Sequence, residues 1–432
     1  MGALRELFPA GGPVTSRRLA GRACERAGAP AAECAANVPP GRHHGMPMRV
    51  LHTSDWHLGR TLHGEDLLPH QAAFLDWLFA QAVEQEADAV VVAGDVYDRA
   101  VPPADAVALL DEALSRLAGA RIPVLLISGN HDSPVRLGFG SRLSERAGIH
   151  LRTCVADLGR PVILADEHGE VALYGIPYLL PDAVMADLGA GRSHASVLSA
   201  AAALIRADAT RRRIARTVVA AHAFVTGGAA CESERDIRVG GIGDAPASVF
   251  SGLGYVALGH LHGRQDVSPV DGTAVRYSGS PLAFSFSEKD HVKSVTLVDL
   301  GAPGQVRAEQ IPAPVPRPLR EVRGRLDDLL ARAGTDLAGL AGAWLKVTLT
   351  DPARPVAPME RLRERWPHTL VLDFQPEGGL SSPAEDLRRL AAATDPAEIC
   401  GLFVEHVSGA PPDDDQRRVL RDVVEAVQRE VA

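Results

Sequence analysis

The chain has 432 residues, 46% of them hydrophobic and 23% charged, with a formal net charge of −9 at pH 7. That length exceeds one ordinary core, and the composition is that of a globular protein of two or three domains. The acidic balance excludes a broad basic face for nucleic acid, so a phosphate-bearing polymer would have to be held by local Arg patches, metal ions or a partner; no apolar run approaches the roughly 18 residues that span a bilayer.

Residues 1–47 are rich in Gly, Pro, Ala and Arg and show no steady period. Arg17 and Arg18 are not followed by the apolar core of about 7–15 residues that a signal peptide needs. The segment reads as a disordered or misassigned extension, with Met46 and Met48 as alternative starts to Met1, because Met48 opens the strand-like run Met-Arg-Val-Leu-His-Thr. From 48 to 311 short apolar runs alternate with helical stretches, the pattern of an α/β sheet. Helices are predicted over 69–86 and 103–118, the second opened by Pro102-Pro103. Extended segments at 171–176, 217–222, 255–259, 273–278 and 292–300 make the later part richer in strands. That predicts two sheets packed on one another with helices outside, a two-sheet αββα sandwich.

Pro312, Pro314, Pro316 and Pro318 alternate with other residues and read as a stiff, extended linker over 312–318. Beyond it, predicted strands at 319–325, 343–350 and 368–375 and helices near 326–333 and 357–366 compose a small α+β unit, 319–409, of the right size for a cap. After the break at Gly409 to Asp415, a helix over 416–430 carries Val419, Leu420, Val423, Val424 and Val427 on one face. Within the terminal segment 410–432 that face is expected to dock on its own domain or on a partner. The five cysteines, Cys24, Cys34, Cys154, Cys231 and Cys400, are scattered and lack CxxC spacing. They exclude a disulfide framework or zinc knuckle and fit a reducing cytoplasm.

Four motifs follow runs that read as buried strands: Asp55-Trp56-His57, Gly94-Asp95-Val96-Tyr97-Asp98, Gly129-Asn130-His131-Asp132 and Gly259-His260-Leu261-His262. His222 ends a fifth run, Val218 to Ala221. Side chains at i and i+2 share a side of an extended segment, so Asp55 and His57 can reach one metal, as can His260 and His262. Gly94 permits a tight turn before Asp95, whose two oxygens are a natural bridge between cations. Asn130 offers a neutral amide oxygen to a hard divalent ion, and His131 beside it is left to face a substrate. Each motif alone has a plainer explanation: a lone DxH is weak, His222 alone would be a satisfied core histidine, and Asp98 a turn or N-cap residue. Five strand-end segments in order, each with metal-ligand chemistry, outweigh those explanations. Two metals around a bridging carboxylate suit the hydrolysis of a phosphate ester above other reactions. His63, His70, His150, His168, His194, His291, His368 and His406 fall outside the pattern.

The motif set resembles the calcineurin-like metallophosphoesterases and, more narrowly, the SbcD family of nucleases. Ser54 to Gly59 and Gly129 to Asp132 carry the broad likeness. Ser233 to Gly241, Tyr255 to His262, Tyr277 to Pro281 and Ser285 to Glu288 carry the narrower one. The resemblance implies a first metal held by Asp55, His57, Asp95 and His262, and a second by Asp95, Asn130, His222 and His260. It implies that Asp95 bridges, that His131 is the catalytic histidine outside the ligand set, and that the metals are Mn²⁺ before Mg²⁺. It further implies DNA as substrate, with 3′-to-5′ exonuclease action on duplex ends and endonuclease action on hairpins and single strands, in DNA repair and recombination. The partner implied is the coiled-coil ATPase SbcC, on whose coiled-coil base 410–432 would dock, with a homodimer inside a heterotetramer. Two departures stand out: Asp98 occupies the place of a second histidine in relatives outside bacteria, and Ala221 precedes His222 where a Gly is common. The rivals are a small-substrate phosphodiesterase or phosphatase of the same fold, and a scaffold without catalysis. Against the first stand the SDxH opening, Asp132 in place of Glu, and the whole region 312–432. Against the second stands the presence of every ligand position together with His131.

Overall fold

The computed structural model describes residues 47–234, 244–377, 389–393, 395–408 and 411–431. The extension 1–46 and the stretch 235–241 of the Ser233 motif lie outside the described residues. In chain order the strands are β1 (Met48–Thr53), β2 (Thr61–Leu62), β3 (Glu65–Asp66), β4 (Ala89–Ala93), β5 (Val124–Ile127), β6 (Ile149–Arg152), β7 (Val162–Asp166), β8 (Gly169–Ile176) and β9 (Arg216–His222). They continue as β10 (Tyr255–Gly259), β11 (Gln265–Val270), β12 (Thr273–Tyr277), β13 (Ser294–Leu300), β14 (Val306–Pro312), β15 (Leu319–Gly324), β16 (Trp344–Leu349) and β17 (Thr369–Phe374).

Two six-stranded sheets form, in the orders β14-β13-β1-β4-β5-β6 and β11-β12-β10-β9-β8-β7. In the first, β1, β4, β5 and β6 run parallel and β13 and β14 close one edge antiparallel. In the second, β8, β9, β10 and β12 are parallel, with antiparallel β7 and β11 at the edges. Strands β4 and β5 are apolar throughout because both of their faces are covered. Val90, Val92 and Leu126 meet Phe74, Leu75 and Leu78 of the helix Leu68–Glu84 and Leu110 and Leu117 of the helix Ala104–Gly119. Val91, Leu125 and Ile127 face the other way, onto Leu173, Val218, Ala220 and Ala257 of the second sheet. The outer face of that sheet carries the helix His194–Arg212 through Val197, Leu198, Ala201 and Ile205. This is the αββα sandwich predicted from the strand pattern.

Beyond β14, three parallel strands β15-β16-β17 pack against the helices Leu326–Arg332 and Pro358–Arg365 around Leu326, Leu345, Val347, Leu362 and Trp366. Ala313 is buried in the first core and its N–H donates to the Lys293 carbonyl over 2.8 Å. Leu319 and Trp344 close a further apolar cluster with Leu62, Leu67, Leu282, Phe284 and Phe286. The extended strip is thus anchored at its two ends, by Ala313 and Leu319, while Pro314, Val315, Pro316 and Pro318 between them are exposed.

The terminal helix Asp414–Val431 packs on the helix Pro396–Ser408. Leu420 and Val424 are half-buried, while Val419, Val423 and Val427 are each more than half exposed. Of the face expected to dock on its own domain or on a partner, packing on the helix Pro396–Ser408 leaves Val419, Val423 and Val427 open. No described helix is long and apolar enough to cross a membrane.

Candidate metal centre

The carboxyl ends of β1, β4 and β5 meet those of β9 and β10 at one rim of the sandwich, and the segments that follow them are laced together. Asp55 N–H donates to Gly94 O over 3.0 Å, His57 N–H to Asp95 O over 2.9 Å, and Leu58 N–H to Val96 O over 2.9 Å. His260 N–H donates to Asp55 Oδ1 and His131 N–H to Asp95 Oδ1, both over 2.9 Å. The backbone here corrects the sequence argument. Asp55 and His57 are not neighbours on an extended segment: both are left-handed, with φ of 54° and 45°, as are Asp95 at 48° and His260 at 108°. Asp and His tolerate this region better than most residues, yet each such residue carries strain of about 1–3 kcal/mol. The lacing hydrogen bonds hold that strain in place, and it turns the side chains toward one point. Close approach of the sheets needs glycine at two positions. A Cβ on Gly259 would lie 1.9 Å from Ala93 O, and one on Gly94 would lie 2.5 Å from His222 Nδ1.

All eight singled-out side chains come together at this rim. Ligand atoms of Asp55, His57 and His262 lie within 4.8 Å of one another, as do those of Asp95, His222 and His260 and those of His57, Asp95 and His131. Asp95 sits between the groups, with Oδ2 3.6 Å from His57 Nε2 and 3.5 Å from His222 Nε2. Asn130 Oδ1 is 2.9 Å from His222 Nε2 and 3.2 Å from His260 Nδ1. On the other side His57 Nε2 and His262 Nε2 are 3.1 Å apart. Asp55, Asp95 and the histidines are buried, His131 the least so at 8% exposure, and Asn130 is half-buried.

The donor chemistry fits divalent cations. His222 Nδ1–H donates to Ala93 O over 2.9 Å, which leaves the Nε2 lone pair aimed at Asp95 and Asn130. Several lone pairs thus converge on a dry point, an arrangement that is repulsive unless positive charge is shared among them. Asn130 Nδ2 and His57 Nδ1 are buried without a hydrogen-bond partner. A mixed set of imidazole, carboxylate and amide donors suits divalent metal ions.

Electrostatics agree. Burial holds His57 well below the usual imidazole range and brings His260 down to about 3. Burial pushes Asp55 up to about 6. Burial would raise Asp95 too, but the charge and hydrogen bond of His222 and the charge of His57 hold it well below the usual carboxylate range. His222, which burial alone would lower, is pushed up to about 9 by Asp95: a proton there answers the same negative charge that a cation would. Burial, with the charge of Asp95, raises Asp132 to about 7. Its carboxylate accepts N–H bonds from Val96, Tyr97 and Gly129 and ties the β4 and β5 loops together.

Asp98 is more than a turn residue. Its carbonyl accepts from His131 Nδ1 over 2.7 Å, and its carboxylate lies 3.7 Å from His57 Nδ1 and 3.8 Å from Arg60 Nε. Sequence reasoning missed the residues behind His262. Ser233 Oγ is 2.7 Å from His262 Nδ1, Glu288 Oε1 is 3.6 Å from it, and Glu234 Oε1 accepts from the His262 N–H. Ser233 and Glu288 lie in the narrow motifs, but nothing in their type or spacing pointed to His262.

Residues 48–190 match the calcineurin-like phosphoesterase family, so this part of the chain is a calcineurin-like phosphoesterase domain, that of a metal-dependent hydrolase. Residues 315–407 match the SbcD_C family, described as the type 5 capsule protein repressor C-terminal domain. The pairing of these two domains is that of the SbcD family of nuclease subunits. Among solved structures, the Thermus thermophilus protein TT1561 is 13% identical, with a TM-score of 0.38 over 61% of this chain and 99% of its own. An archaeal phosphodiesterase is 10% identical, with a TM-score of 0.27 over 61% of this chain and 100% of its own. The Thermus thermophilus sulfate thiohydrolase SoxB, in complex with glycerol, is 11% identical, with a TM-score of 0.31 over 63% of this chain and 58% of its own. Likenesses this slight do not extend to function.

Proposed function

We propose that the chain is a two-metal-dependent DNA nuclease, the SbcD-like subunit of an SbcCD complex. In this reading it is a 3′-to-5′ double-strand exonuclease and a single-strand and hairpin endonuclease, working in the cytoplasm in DNA repair and recombination. The nuclease domain spans 48–311, the linker 312–318 and the capping domain 319–409. The observation that carries the reading is the convergence of two buried ligand groups on Asp95. Asp55, His57, Asp95 and His262 would hold the first cation, and Asp95, Asn130, His222 and His260 the second, with Mn²⁺ favoured over Mg²⁺. When bound, the two cations supply Lewis acidity toward the phosphate and lower the pKa of water.

The chain's own residues do the rest. Asp95 Oδ1 is fixed by the His131 N–H, so Oδ2 is the oxygen turned to the histidines of both groups. His131 Nδ1–H is anchored on the Asp98 carbonyl, which fixes the ring where the substrate would lie. There it stabilises charge developing on the phosphoryl group or protonates the leaving oxygen. Its ring stands edge-to-face on His57 at 4.6 Å, which limits its swing.

Two open apolar surfaces support the partner assignments. The exposed stripe Val419, Val423 and Val427 suits the coiled-coil base of an SbcC-like ATPase, which would also supply much of the grip on DNA. Val135 and Phe139, at 84% and 88% exposure, lie in and just beyond the short helix Pro134–Leu137, whose Arg136 bonds the carbonyl of Ala100 over 3.0 Å; Ala100 is next in sequence to the exposed Val101. Such a patch suits a second copy of the chain. The test is cleavage of linear duplex DNA and of bis-p-nitrophenyl phosphate by purified protein with Mn²⁺. Cutting of both supports the nuclease reading; cutting of the small ester alone, with the ATPase partner present, favours a small-substrate phosphodiesterase.

A further inference from the structure

The cluster behind His262 is used by no step described above. Glu288 is fully buried in the short helix Phe286–Glu288, and its two oxygens have different neighbours. Oε2 faces the buried ammonium of Lys293 and the Ser280 hydroxyl. Oε1 accepts from the Phe284 N–H over 2.9 Å and from Ser233 Oγ over 2.6 Å. Lys293 is itself fixed by the His262 carbonyl at 3.0 Å and Ser280 Oγ at 2.9 Å.

Proton counting then settles the direction of the chain. A carboxylate paired with an ammonium only accepts hydrogen bonds. The single Ser233 proton therefore goes to Glu288, so Ser233 Oγ must accept from His262 Nδ1–H across 2.7 Å. With the proton on Nδ1, the lone pair of His262 lies on Nε2, the nitrogen facing His57 Nε2 at 3.1 Å. We infer that Glu288, acting through Ser233, is a positioning residue that sets the tautomer and ring orientation of His262 and so builds the first cation site. Carboxylate relays of this kind behind histidine ligands tune metal affinity. The inference rests on the two-cation reading above for its consequence, though not for its geometry.

Glu288→Gln is the diagnostic change because it is isosteric. The full charge of Lys293 demands an acceptor at the Oε2 position and outweighs the neutral Phe284 N–H at the Oε1 position, which turns the new amide NH₂ toward Ser233. Ser233 would then accept from Gln and donate to His262 Nδ1, driving the histidine proton onto Nε2, the wrong nitrogen. The tautomer is read from ¹⁵N shifts of selectively labelled histidines in metal-free protein, with His262 assigned by its own substitution. Mn²⁺ binding is read by calorimetry on the same full-length samples. We expect an Nδ1 proton and two Mn²⁺ ions in the unaltered protein. Glu288→Gln should shift the proton and weaken one ion about 10–100-fold. Ser233→Ala should weaken the same ion, and Ser233→Thr, which keeps the hydroxyl, should restore it. An Nε2 proton on His262 in the unaltered protein, or full affinity for both ions in folded Glu288→Gln and Ser233→Ala, would overturn the relay. Unaltered protein that takes up no Mn²⁺ overturns the two-cation reading instead, while the His262 tautomer still decides the relay.

Discussion

His52 lies in β1, completely buried between the two sheets. Its Nε2 is 3.1 Å from the Leu258 carbonyl and its Nδ1 is 3.0 Å from the Tyr255 hydroxyl. The carbonyl only accepts, so Nε2 carries the proton and Nδ1 accepts from Tyr255. The neutral ring is satisfied at both ends, and a second proton would add charge to a dry layer. Burial accordingly brings His52 from 6.5 down to about 3. The unfolded chain therefore takes up a proton at higher pH than the folded one. This contribution to stability is fully present above about pH 6.5 and is lost as pH falls toward about 3. At about 1.4 kcal/mol per pH unit, with half-protonation of the unfolded group at the upper end, going from pH 6.5 to 4.5 removes about 2 kcal/mol. Chemical denaturation of metal-free protein, followed by tryptophan fluorescence, is compared with that of His52→Gln at both pH values. The stability gap between the two proteins should shrink by about 2 kcal/mol at the lower pH. A gap that does not change with pH would refute the argument that His52 is held neutral between the sheets.

Gly259→Ala puts a methyl group 1.9 Å from Ala93 O, with no flexible side chain to give way. We expect a loss of about 1–3 kcal/mol in thermal unfolding, and unchanged stability would mean that the sheets are not in contact there. His131→Asn should keep Mn²⁺ bound while cleavage drops about 10²–10⁴-fold; cleavage at the original rate would remove His131 from the chemistry. Deleting 410–432 should abolish association with an SbcC-like ATPase in a pull-down and leave hydrolysis of bis-p-nitrophenyl phosphate intact, so undiminished association sinks the docking assignment. Phe139→Asp should turn a dimer into a monomer by light scattering, and an original protein that is already monomeric would dismiss that interface.

The layering of the fold is legible because β4 and β5 are apolar on both faces, as strands buried between two layers must be, and because chemistry-bearing residues follow the strand ends directly. The proximity of Asp55 and His57 was legible too, but for a mistaken reason. Spacing of two suggested one face of an extended segment, whereas both residues are left-handed and converge through a turn. Backbone hand is set by hydrogen bonds to Gly94 and Asp95 about 40 residues along the chain, which no local pattern encodes. Glu288 was silent for a similar cause: its charge is answered by Lys293, and its role depends on Ser233, brought to it from 55 residues away. The alternating prolines specify an extended backbone for the linker but not its anchorage, which Ala313 supplies by burial in the first core. The valine stripe of the last helix gave a face without giving its cover.

The most direct test of the two-cation nuclease is to count Mn²⁺ per chain while following cleavage of linear duplex DNA, for the unaltered protein and for Asp95→Ala. Two ions bound, Mn²⁺-dependent cutting, and loss of both in the variant are expected, because Asp95 alone faces both ligand groups. Duplex cleavage that persists in Asp95→Ala, or that proceeds with no divalent ion bound, would contradict the account.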